Sequence, residues 1–142
     1  MTNTTKAPTW FTIVAVLAIF WNLMGVMAYL GQAFMTTEMM EALPQEQQDA
    51  YSNIPAWATA AFALSVFGGL LGSLFLALRK NIAGILLWIS LISIVVNDIY
   101  NFIIIDSVSL FGMLPLIMQS IVLIVAISLI LMFKKAKSSN WI

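Results

Sequence analysis

The sequence predicts an all-α integral membrane protein: an antiparallel bundle of four transmembrane helices, with both termini in the cytoplasm and a short-helical external loop between the first two helices. Three observations carry this. The 142 residues are 62% hydrophobic and only 8% charged, against roughly 45–50% and about 25% in soluble domains. The apolar residues gather into four continuous runs, 10–30, 57–78, 82–105 and 110–133, each long enough at ~1.5 Å per residue to cross a hydrocarbon core of about 30 Å. Threaded through four spans, Lys6, Arg79, Lys80, Lys134, Lys135 and Lys137 fall on one side, and Glu38, Glu41, Glu46, Asp49 and Asp106 on the other. The positive-inside rule puts the basic side in the cytoplasm. Continuous apolar runs without period-two alternation exclude a membrane barrel.

A short lead with Lys6 and Pro8 precedes the first span, residues 10–30. A cleaved leader competes for this stretch, because Val26 and Ala28 have the small-residue spacing of a cleavage site; the apolar run is longer than a leader's core. On a helix, Ala15, Ala18, Asn22, Gly25 and Tyr29 share one face with three-four spacing. Residues 31–56 then carry four acids and no base. Thr37 suits the cap of a short helix starting at Glu38, with Met39, Met40 and Leu43 as its apolar side. Pro44 suits the first turn of another. Two short helices forming a collar at the membrane surface, or a solvated acidic loop, both fit this composition.

The second span, residues 57–78, organises the rest. Ala61, Ser65, Gly69, Ser73 and Ala77 recur at every fourth position, with Gly68 and Gly72 in a row beside them. Lipid gives little hydrophobic drive for helix association, so helices pair by close backbone approach, which small residues permit. Leucine at Gly69 should force helices apart, and alanine there should be tolerated. Arg79-Lys80-Asn81 is too short for anything but an antiparallel hairpin into residues 82–105. On that third span Ser90, Ser93, Asn97, Asp98 and Asn101 share an arc of roughly 140° at 100° per residue. A second short turn at 106–109 leads to residues 110–133, where Gly112, Pro115, Gln119 and Ala126 form a looser face. Three lysines open the tail, 134–142.

Depth sharpens the polar faces. Counted from the outer ends of their runs, Asn22, Ser65, Asp98 and Gln119 lie at similar depth, roughly 10–14 Å below the interface at ~1.5 Å per residue. One polar layer, drawn from all four helices and opening outward, is therefore expected. Its candidate solute- or ion-binding residues are Asp98, Asn97, Asn101, Asn22, Gln119, Ser65 and Tyr29. Asp98 is the one ionisable group inside a span. A carboxylate there takes up a proton or cation or anchors a solute, or else it is a staple hydrogen-bonded to Asn22, Tyr29 or Gln119. Trp10, Trp57 and Trp141 read as interfacial anchors, and Trp21 and Trp88 as packing or pocket wall.

Several functions are excluded by what the chain lacks. It has no cysteine and no histidine, which removes thiol chemistry, ligation through either residue, and the usual neutral-pH proton shuttle. No pair of acids stands ready for catalysis, so neither an enzyme nor a cofactor is expected. A net charge of zero gives no nucleic-acid footprint.

The run Phe20-Trp21-Asn22-Leu23-Met24-Gly25-Val26, the loop residues Leu43-Pro44, Tyr51 and Pro55-Ala56-Trp57, and Ala60-Ala61-Phe62 leading to Val66-Phe67-Gly68-Gly69 resemble a group of small bacterial four-span membrane proteins commonly labelled "sugar transporter". The likeness covers about residues 10–80. It implies a multi-pass protein of the bacterial inner membrane, and supplies no binding residues to carry over. Two functions fit: an outward-facing polar pocket that binds or transports a small solute, or an accessory subunit that packs its small-residue faces on a partner membrane protein. Four helices enclose little volume, so transport calls for a homo-oligomer.

Overall fold

The computed structural model describes residues 4–142. In chain order the helices are α1 (Thr9–Ala33), α2 (Thr37–Glu41), α3 (Gln45–Ser52), α4 (Ala56–Ala77), α5 (Ile82–Asp98) running on into a π-helical turn (Ile99–Ile104), α6 (Ser107–Phe111) and α7 (Leu114–Ser138). Four are long and apolar enough to cross a membrane: α1, α4, α5 with its π turn, and α7. Their outer faces expose large apolar side chains such as Leu17, Ile85, Ile103 and Ile124. In water that surface would be costly; in lipid it is the solvated face.

Several helix ends and caps differ from the sequence-based expectation. The fourth span starts at Leu114, not at position 110, because Gly112 adopts φ 81° and breaks the chain. Leu110 belongs instead to α6, and its carbonyl accepts from Gln47 Nε2 at 2.9 Å. At the other end α7 absorbs Lys134, Lys135 and Lys137, whose charge suits the negative pole of a helix C-terminus. Thr36, not Thr37, caps α2 by accepting from the Met39 amide at 3.2 Å. Pro44 is the cap residue of α3 rather than part of its first turn.

The spans pack as a chain of neighbours: α1 on α4, α4 on α5, α5 on α7. The glycines explain the closest pairing. A Cβ at Gly68 would stand 3.3 Å from the Leu86 carbonyl, and one at Gly72 would stand 2.8 Å from Leu87 Cδ2. The row of Gly68 and Gly72 therefore admits the α5 backbone, while Gly69 and Ser73 turn toward Asn22 on α1. Ala61, Ser65, Gly68, Gly69, Gly72 and Ser73 are all buried.

The four spans alternate in direction, which brings the basic residues to one end. Two turns of the same design close that end. After α4, Arg79 takes φ 57° and the Lys80 amide reaches back to the Phe75 carbonyl at 2.8 Å. After α7, Asn140 takes φ 57° and the Trp141 amide reaches the Ala136 carbonyl at 2.9 Å. Both are Schellman-type ends that satisfy the last carbonyls of a helix. Trp141 then packs edge-on against Phe11 and Trp10, with ring centroids 5.5 and 5.8 Å apart. It belongs to a core of Phe11, Ala15, Ala18, Leu76, Leu87 and Leu129 that plugs the basic end, and so is a packing residue as well as an anchor. Trp10, Trp57 and Trp88 are each about half exposed, Trp88 with Lys134 Nζ over its ring at 5.6 Å.

Candidate functional site

Above the basic-end plug the spans part around a two-chambered cavity. The lower chamber, about 330 Å³, is bounded by all four spans. Trp21, Asn22 and Gly25 come from α1, Phe62, Ser65 and Gly69 from α4, Ser90 and Asn97 from α5, and Gln119, Val122 and Leu129 from α7. The upper chamber, about 450 Å³, lies toward the acidic end, where Tyr51 of α3 and Ser107 and Phe111 of α6 complete the wall. Phe62, Asn97 and Gln119 line both chambers and mark their junction.

The helices place most of the polar groups by bonding them to the chain itself. Asn22 Nδ2 donates to the Ala18 carbonyl at 2.9 Å and to Ser73 Oγ at 3.0 Å. Ser90 Oγ donates across helices to the Ser65 carbonyl at 2.6 Å, and Ser65 Oγ donates to the Phe62 carbonyl at 2.7 Å. Asn101 Nδ2 donates to the Asn97 carbonyl at 2.9 Å, and Ser107 Oγ to the Asn101 carbonyl at 2.7 Å. The last two ties hold the π turn, a helical irregularity often found at functional sites. Hydroxyls and amides used this way act as glue between or within helices.

Asn97 and Gln119 are different. Their carboxamides make no side-chain hydrogen bond among the described residues, yet neither is sealed off, because both face the cavity. Each carboxamide offers two donors and an acceptor with two lone pairs. Left dry and unpartnered, such groups cost about 1–3 kcal/mol each. Gln32 of α1, also without a side-chain bond, adds a third carboxamide to the upper chamber. No charged side chain lines either chamber. This polar set can hold uncharged hydrogen-bonding groups, and it offers no counter-ion for a charged one.

The expected single polar layer is corrected to a slanted path. α1 continues to Ala33, so Asn22 lies deeper than its apolar run suggested, level with Gly69 and Ser73. α7 begins at Leu114, so Gln119 lies shallower, at the chamber junction. Ser65 and Asn97 line the lower chamber, and Asn97 and Asn101 the upper. Tyr29 stands outside both; its ring packs edge-on against Phe62 and Phe67, with centroids 5.4 and 5.8 Å away.

Asp98 also lines neither chamber. One residue is 100° of helix, so with Asn97 turned inward Asp98 points to the flank of α5, between the buried Ile94 and the exposed Val95. Its Oδ1 is buried with no hydrogen-bond partner. None of the staples expected for it forms: the Asn22 amide is engaged elsewhere, and no bond to Asp98 from Tyr29 or Gln119 is present among the described residues. The sequence grouped Asp98 with the inward arc of Asn97 and Asn101, and its place on the flank of that arc decides that it misses the cavity. Gln32 was the legible omission, since it continues the three-four face of Asn22, Gly25 and Tyr29. Tyr51 and Ser107 lie in connecting segments, where no periodicity points to them.

Searches of protein-family models, curated proteins and solved structures found no match to this chain.

Proposed function

We propose that this multi-pass membrane protein binds a small uncharged solute in the two-chambered cavity, and moves it when assembled as a homo-oligomer. The observation that carries the reading is the pair Asn97 and Gln119. They come from different helices, line both chambers, and keep their carboxamides unbonded, whereas Ser65, Ser90, Asn101 and Ser107 in the same walls are tied to the chain. The positive-inside rule supports an orientation with the basic end in the cytoplasm and the upper chamber toward the outside. The resemblance to small bacterial "sugar transporter" proteins supports a bacterial inner-membrane location. The collar of α3 and α6, joined by the bond from Gln47 to Leu110 and by the Tyr51–Phe111 ring contact at 5.6 Å, then covers the outer mouth.

Thermal unfolding in lipid nanodiscs tests this against a panel of uncharged compounds, from glycerol and hexoses to monoacylglycerols. At least one should raise the melting temperature of the native chain and fail to do so for the Asn97→Leu, Gln119→Leu double variant. A double variant more stable than the native chain, with no compound acting on either, would show a merely imperfect core.

The second reading, an accessory subunit, has one observation of its own. Asp98 is half-buried on the flank of α5, its carboxyl makes no hydrogen bond among the described residues and only its Oδ1 is shut away, so a second membrane chain could partner the other oxygen.

A further inference from the structure

We infer that the ligand is a neutral amphiphile, an uncharged hydrogen-bonding head on an apolar chain, that enters sideways from the bilayer between α1 and α7. This rests on the binding reading above and specifies its ligand class. Three features converge on it.

The first is the division of the cavity. The upper chamber gathers Gln32, Tyr51, Asn101 and Ser107 around the junction carboxamides, while the lower chamber below them is walled mainly by apolar side chains such as Met24, Ile94, Val122 and Leu129, its Asn22, Ser65 and Ser90 being bonded within the chain. A sugar in the lower chamber would face these walls with hydroxyls unpaired, a penalty an apolar chain does not incur. A head at Asn97 and Gln119 would find donors and acceptors, and no side chain to balance a charge.

The second is the gap. α1 and α7 both border the lower chamber without packing closely on each other; their side chains join one core at the basic end, around Phe11 and Leu129. Over the lower chamber α1 and α7 contribute Met24 and Met118, which line the cavity and are 64% and 44% exposed. The cavity therefore communicates with the lipid-facing surface. Unbranched methionine side chains can swing aside for a chain of irregular shape.

The third is the plug. Phe11, Ala18, Leu76 and Leu129 seal the floor, so the lower chamber has no polar route to the basic end. Its openings are the bilayer and the upper chamber.

The test uses the full chain in phosphatidylcholine nanodiscs, with Trp10, Trp57, Trp88 and Trp141 replaced by Phe so that Trp21, in the lower-chamber wall, reports alone. A monoacylglycerol brominated on its acyl chain should quench Trp21 saturably, at a mole fraction at least fivefold below that needed by brominated phosphatidylcholine. Asn97→Leu with Gln119→Leu should raise that mole fraction about tenfold. If the four-Phe chain does not fold, the native chain serves: monoacylglycerol should raise its melting temperature, and Val122→Trp, which fills the chamber, should abolish the rise. Quenching no stronger than that by brominated phosphatidylcholine, or a native melting temperature unmoved by monoacylglycerol, would overturn the inference. If glycerol or a hexose still stabilised the chain through Asn97 and Gln119, the binding reading would survive it. If neither class acted, both would fall.

Discussion

Gly69→Ala is a one-carbon change whose cost depends on a side chain across the helix pair. A methyl group at this position would overlap Asn22 Oδ1 and stand 2.9 Å from Asn22 Cγ and 3.2 Å from Ser90 Oγ. The Asn22 amide would have to leave, losing its bonds to the Ala18 carbonyl and Ser73. Inside membranes such bonds average roughly 0.6 kcal/mol, and overpacking adds about 1–3 kcal/mol. Alanine's helix propensity returns about 1 kcal/mol. The net expectation is destabilisation by about 1–3 kcal/mol. Gly31→Ala is the control, because a Cβ there meets nothing within 4 Å and only the propensity gain remains. Equilibrium unfolding in mixed micelles, run as a double-mutant cycle with Asn22→Ala, isolates the clash. With Asn22 truncated, Gly69→Ala should become neutral or stabilising, a coupling of at least about 1 and up to about 4 kcal/mol. Effects of the two substitutions that add within about 0.5 kcal/mol would refute the packing described here.

Other outcomes follow from the same structure. A cysteine at Gln47, in the collar, should react with an impermeant thiol reagent on intact cells and one at Ser138 should not; the reverse labelling would invert the proposed orientation. Asp98→Leu removes a buried oxygen that has no partner, so it should be neutral or stabilising by up to about 1–3 kcal/mol and leave monoacylglycerol binding unchanged, as titration of both proteins would show. Lost binding would mean that Asp98 acts in the cavity. Gly112→Ala meets no neighbour within 4 Å but must hold φ 81° and ψ −165°, so thermal unfolding should report a loss of about 1–3 kcal/mol from backbone strain alone.

The four spans were legible because the constraint on them is coarse: length, continuity of apolar residues and placement of charge suffice. Their ends were less so. Gly112 reads as one more small residue until its positive φ is seen, and the three tail lysines read as loop although they continue α7. Those end shifts propagate to the site, moving Asn22 down and Gln119 up and turning a level layer into a slope. Small-residue spacing marked Gly69 as a packing position but implied that alanine would fit. The identity of the opposing group, an amide rather than a methyl, is a property of the pair of helices and is absent from either alone. The same holds for Asn97 and Gln119. Each could be listed as polar within a span, but that both would be left unbonded on a shared cavity depends on which other polar groups the fold satisfies internally.

The central claim is that the space between α1 and α7 is a binding cavity rather than loose packing. A high-resolution structure of the chain reconstituted in native lipid, with no detergent step, tests it most directly. Non-protein density should occupy the lower chamber, with its head within hydrogen-bond distance, about 2.7–3.2 Å, of Asn97 and Gln119. Helices α1 and α7 closed on each other, with Met24 and Met118 in contact and the two carboxamides bonded within the chain, would contradict it.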